Sequence, residues 1–116
     1  MAVKAGCIFC DIGQGKSPAN LEYQDNKVVA FWDIQPKAPV HLMVVPKDHI
    51  ESLRETTDQH TDLLGWMILV AKRLAEKKNL TDDGYRLIIN TGRHSGAVVE
   101  HLHLHILGGK QLGAMG

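Results

Sequence analysis

The chain places three of its seven histidines within five positions, in EHLHLHIL at residues 100–107, with leucine in both gaps. Imidazole is the side chain that changes charge near neutral pH, and it can serve as metal ligand, proton carrier or nucleophile. Read as a strand, the segment sends His101, His103 and His105 to one face and Leu102, Leu104 and Ile106 to the other. The apolar side then anchors the strand while the imidazoles look into a common cleft. Two chemistries suit such a row. Neighbouring imidazoles can converge on a transition metal such as zinc, although same-face Cβ atoms ~7 Å apart make a tetrahedral site from all three difficult. Alternatively, one histidine attacks as a nucleophile while the others direct hydrogen bonds and charge at an anion, which suits phosphorus.

The second chemical pair is Cys7 and Cys10, the only cysteines. Spaced Cys-x-x-Cys, they are too close to staple a fold and read as a metal half-site, a redox pair or two small core residues.

These groups need a scaffold, and 116 residues provide for one domain, 1–116, with no linker, repeat or low-complexity tract to divide it. IFCDIG at 8–13 suggests a short helix or turn. Leu21 to Gln24 pairs with Val28 to Trp32 across Asp25 and Asn26 as a hairpin, and His41 to Val45 is rich in β-formers. A helix is expected from about Thr57 or Asp58 to Lys78. Leu64, Met67, Ile68, Ala71, Leu74 and Ala75 form its apolar stripe, widened by Leu63, Trp66 and Val70. A stripe this wide suits either a deep core or a second subunit packed on Trp66 and its neighbours. Tyr85 to Asn90 and Val98 to Leu107 complete five short strands. Without regular β-α-β alternation the class is α+β, with a mostly antiparallel sheet, one long helix and a short N-terminal one.

Thirteen basic residues balance thirteen acidic ones, so no field recruits a nucleic acid. The N-terminal MAVKAG precedes no signal-like apolar run, and no stretch approaches a membrane span. A soluble, cytoplasmic protein with a small-molecule or protein partner is the expectation.

The chain resembles the histidine triad (HIT) superfamily, whose His-x-His-x-His-x-x signature is matched by His101 through Leu107. FWDIQPKAPVHLMVVPKDHI and YRLIINTG are also similar to family segments, and HILGGKQLG resembles the ending of the Hint branch, the nucleotide-binding phosphoramidases. The likeness runs from Cys7 to Gly113. It implies a HIT-like fold and a homodimer joined through the long helix. The implied activity is hydrolysis of purine nucleoside phosphoramidates, of AMP-N-alkyl or AMP-lysine type.

By this resemblance His103 attacks the α-phosphorus to give a nucleotidyl-imidazole, which water resolves to the nucleoside monophosphate. His105 contacts the phosphate, and His41 and His101 support the active site. Asn90 orients the phosphate end of the ligand, and Gly96, lacking Cβ, lets backbone approach it. Asp33 accepts from the ribose hydroxyls, while Ile34 and Phe9 wall the base. Zinc-containing relatives further imply a closed structural Zn2+ site at Cys7, Cys10, His49 and His101.

One departure affects rate. The Hint pattern before the triad reads Gly-Gln-Ser-Val-x-His, whereas this chain has Ala97 and Val98 at the glutamine and serine positions. Lost donors of this kind can cost orders of magnitude in rate. This departure keeps open a nucleotide-binding or interaction module with little catalysis. The other alternative, a dinucleoside polyphosphate hydrolase as in another branch, has the Hint-like ending and the missing glutamine against it.

Overall fold

The computed structural model describes residues 2–115. Strands β1 (Leu21–Gln24), β2 (Val28–Trp32), β3 (Val40–Pro46), β4 (Tyr85–Ile88) and β5 (Leu104–Gly108) form one sheet. Its order is β1-β2-β3-β5-β4 and every neighbouring pair is antiparallel. Helices α1 (Ile8–Gly13) and α2 (Thr61–Lys77) complete the framework. The α+β class and the five strands agree with the sequence reading.

The period of two in the central strands sorts their side chains between two layers. Val28, Ala30, Leu42, Val44, Leu104 and Ile106 face α2, where Met67, Val70, Ala71, Leu74 and Ala75 close the main core. Val29, Phe31, Met43 and Val45 face the other way and pack with Phe9 and Ile12 of α1. His41 and His105 occupy positions of this second face, with His41 opposite Leu107 and His105 opposite Met43 in the β3–β5 register. The sheet thus has a greasy face under the long helix and a face on which chemistry is placed.

Asp25 organises the hairpin turn. Its Oδ1 accepts the N–H groups of Lys27 and Val28, and its Oδ2 accepts Tyr23 Oη–H and Trp66 Nε1–H, each at 2.7–2.8 Å. One carboxylate therefore ties the turn to α2. Trp66, whose ring also carries the Arg73 guanidinium at 5.0 Å, is engaged within its own chain.

Four expectations change. The helix begins at Thr61, because Thr57 caps a separate one-turn 3-10 helix, Asp58–His60, through its hydroxyl. Ile68, expected in the apolar stripe, is 49% exposed, while Val70 takes a core place. The strand beginning at Tyr85 stops at Ile88, two residues short of Asn90. The last strand is shortest of its expected length: β5 starts at Leu104, leaving His101 and His103 ahead of it. The ladder with β3 begins at the Val44–Leu104 pair. Pro46 has no N–H to extend it, and its carbonyl is taken by the His101 ring. Leu102 N–H donates instead to the Ile50 carbonyl at 2.6 Å.

Candidate active site and metal centre

A cleft of about 610 Å³ opens on the second face of the sheet. Its walls come from α1, the end of β2 with the following turn, and the loop before the histidine row. Phe9, Asp33, Ile34, His41, Asn90, Gly96, His103 and His105 all line it. Every nucleotide-site residue expected from the sequence is thus brought to one cavity. Ile34 and Val98, 95% and 93% exposed, stand on its rim, and Ala97 beside Val98 offers no side-chain donor. Gly96 has φ +84°, which favours glycine at this turn, and nothing lies within 4 Å of where a Cβ would project.

His101 does not share this cleft. It is fully buried, and its ring faces the two cysteine sulfurs. The expectation of three imidazoles in a common cleft is therefore corrected: His103 and His105 line it, and His101 does not, its carbonyl accepting from the His103 ring.

Hydrogen bonding assigns the protons, because a carbonyl can only accept and a backbone N–H can only donate. His103 Nδ1 lies 2.6 Å from the His101 carbonyl, so Nδ1 carries a proton and the neutral ring keeps its lone pair on Nε2. Lys37 N–H donates to His41 Nδ1 at 3.0 Å, which places the His41 proton on Nε2. That proton is given to His105 Nδ1 at 2.9 Å, leaving His105 with a hydrogen on Nε2. Asp33 Oδ2 sits 3.4 Å from the same His41 nitrogen, and its Oδ1 accepts Gln35 N–H at 2.8 Å.

Burial keeps His41 and His105 neutral. It pushes His41 down from its ordinary value, against the pull of Asp33. Burial, with the adjacent His103 and His41, lowers His105 to about 4. The His103 ring is held edge-on by Phe9 at 5.3 Å and by His105 at 4.8 Å between centroids. The cleft therefore presents an unprotonated ring nitrogen next to a neutral N–H donor, which suits attack on an electrophile whose oxygens need a donor.

Asp33, His41 and His105 also bring ligand atoms within 4.8 Å of one another. A cation there would have to take the nitrogen that carries the His41 proton, and moving that proton to Nδ1 would set it against Lys37 N–H. The hydrogen bonds thus argue against metal at this triad. Lys37 escaped the sequence reading because it acts through its main chain, which leaves no side-chain signature.

The four residues expected to bind zinc do assemble. One ligand atom each from Cys7, Cys10, His49 and His101 lies within 4.8 Å of the others. Cys7 Sγ and Cys10 Sγ are 3.3 and 3.6 Å from His101 Nδ1, and Cys10 Sγ is 3.4 Å from His49 Nδ1. A tetrahedral zinc with ordinary Zn–S and Zn–N bonds has S···N edges of about 3.6 Å, so the set fits a metal. His101 Nε2–H donates to the Pro46 carbonyl at 2.8 Å, which turns its Nδ1 lone pair toward the sulfurs. Burial pushes the Cys10 thiol above its ordinary value, so a cation is what would make it a thiolate.

The sequence over residues 6–115 matches the family described as Scavenger mRNA decapping enzyme C-term binding. A HIT family hydrolase from Legionella pneumophila superposes with TM-score 0.92 at 42% identity, covering 93% of this chain and 96% of that one. The chain belongs to the histidine triad family.

Another histidine triad protein, from Clostridium difficile, has TM-score 0.94 and 40% identity, with 97% and 98% of the two chains covered. The histidine triad relative named purine nucleoside phosphoramidase, from Escherichia coli K12, is 44% identical over 108 residues, 93% of this chain and 91% of that protein. A Zn-bound histidine triad family protein from Mycobacterium smegmatis has TM-score 0.79 and 30% identity, covering 90% of this chain and 76% of that one.

Proposed function

We propose that this histidine triad protein is a hydrolase of purine nucleoside phosphoramidates that works through a nucleotidyl-His103 intermediate. The observation that carries the reading is the Nδ1–H bond from His103 to the His101 carbonyl, which leaves Nε2 as a lone-pair nitrogen in the cleft. Nε2 bonds the α-phosphorus as the P–N bond breaks, and the leaving nitrogen takes a proton from solvent and departs as the amine. The Nδ1–H bond steadies the positive charge that grows on the ring. His105 Nε2–H donates to the phosphoryl group, backed by His41 and the Lys37 amide. Water then displaces His103 and frees the monophosphate. Asp33 receives the ribose, Phe9 and Ile34 flank a purine, and Asn90 with Gly96 borders the phosphate. The 44% identical phosphoramidase supports this substrate class.

Release of AMP from an adenosine 5′-phosphoramidate, together with acid-labile adenylylation of the protein, tests it. Absence of the adduct and of turnover would leave the binding-module reading, which Ala97 and Val98 favour by supplying no side-chain donor. Faster hydrolysis of diadenosine polyphosphates than of phosphoramidates would favour the polyphosphate hydrolase.

The Cys2His2 set would hold structural Zn2+ at Cys7, Cys10, His49 and His101. A bound ion there would fix the segment leading to His103 and supply no step of the reaction. Reduced thiols in such a set suit the cytoplasm. A homodimer is supported by surfaces left open among the described residues: β4, like β1, is an edge strand, and Ile68 and Leu69 stand exposed on α2. The sequence reads as one domain over 1–116.

A further inference from the structure

Cys7 is the N-cap of α1 and Cys10 stands one turn into it, with Cys10 N–H donating to Cys7 Sγ at 3.4 Å. Residues three apart in the first turn of a helix hold their Cα atoms about 5 Å apart, a separation that a disulfide bridges. Both cysteines are free thiols, and their sulfurs belong to the cluster gathered within 4.8 Å. Exposure divides their roles. Cys7 is half-buried whereas Cys10 is 1% exposed, so an oxidant arriving from solvent meets Cys7 first and Cys10 lies behind it. Metal binding and disulfide formation compete for the same two sulfurs, because a sulfur bonded to sulfur no longer carries the thiolate charge a metal needs.

We propose that Cys7 and Cys10 are a redox-active dithiol that holds a metal ion when reduced and closes to a disulfide, releasing the ion, when it meets a hydroperoxide. In the first step Cys7 Sγ attacks one peroxide oxygen, the O–O bond breaks, and a water or alcohol leaves after taking a proton from solvent. Cys7 is then a sulfenic acid. Cys10 Sγ attacks Cys7 Sγ, the S–O bond breaks, and the oxygen departs as water with a second proton from solvent. The two sulfurs together give up two electrons and the peroxide accepts them. The metal leaves with its charge unchanged. His101 keeps its bond to the Pro46 carbonyl but loses both sulfur partners, and a dithiol reductant reverses the sequence.

The test uses the full chain loaded with zinc and treated with hydrogen peroxide, followed by a chromogenic zinc chelator, thiol counting and intact mass. Zinc is expected to appear in step with the loss of both thiols, the chain becoming lighter by about 2 Da, with recovery in dithiothreitol and zinc. Cys10→Ser, oxidised in the same way, gains oxygen at Cys7 and loses no mass. The wild-type chain alone decides the matter if that variant does not fold. The proposal is overturned by a chain that takes up no zinc when reduced. It is equally overturned by retention of thiols and metal at peroxide levels that oxidise a free dithiol, or by oxygen addition without a disulfide. None of these readouts involves nucleotide turnover, so they are independent of the role proposed for His103.

Discussion

His103 donates its Nδ1–H to the main-chain carbonyl of His101 at 2.6 Å, so the residue that faces the cysteines also sets the tautomer of its neighbour in the cleft. The side chain of His101 serves one site and its backbone the other. The proposed cation site and the proposed nucleotide site thereby meet within three residues.

His103→Ala is expected to lower AMP release from an adenosine 5′-phosphoramidate by at least ~1000-fold while AMP still binds, since the cleft walls remain. Steady-state kinetics with calorimetric titration of AMP checks both halves. Turnover within tenfold of wild type would remove His103 from the reaction.

The hydrogen bonds predict three tautomers that can be read directly. Long-range 1H–15N NMR at pH 7 should show His103 as the Nδ1–H form, and His41 and His105 as Nε2–H forms. A His103 protonated on Nε2 would have no lone pair to present to phosphorus.

Burial, then the nearby His103 and His41, hold His105 at about 4, below the 6.5 of an exposed histidine. The folded chain thus keeps His105 neutral where the unfolded chain already binds a proton. The stability from this group is complete above pH 6.5 and is lost as pH falls from 6.5 through 4. Thermal midpoints measured at pH 7.5 and 4.5 should therefore drop further for wild type than for His105→Asn. Equal drops would contradict the depressed value.

Asp25→Ala is expected to cost about 2–3 kcal/mol, because it strips a charged acceptor from Tyr23, Trp66 and two turn amides at once. Urea unfolding gives the number. Burial works against the Asp25 carboxylate, yet the Val28 and Lys27 amides with Tyr23 and Trp66 bring it to about 2. Its contribution is accordingly present above the ordinary carboxylate value and disappears as pH falls through about 2. The variant should be less sensitive to acid in that window.

The sequence by itself determined the α+β class, the hairpin and the short helix at 8–13, and its resemblance to the histidine triad family named the residues expected at each site. The elements follow from local chemistry, namely periods of two and near four and turn residues, whereas the site residues came from the resemblance. Alternation also placed Leu102, Leu104 and Ile106 together in the core, although only the last two lie in a strand. Tertiary structure decided how the histidines divide. Pro46 cannot extend the ladder, so its carbonyl captures the His101 ring and turns it toward Cys7 and Cys10, leaving His103 and His105 to the cleft. The Lys37 amide, which sets the proton on His41 and through it on His105, has no residue-type signal at all. A backbone donor's place depends on where the chain folds, and only the folded chain reveals it.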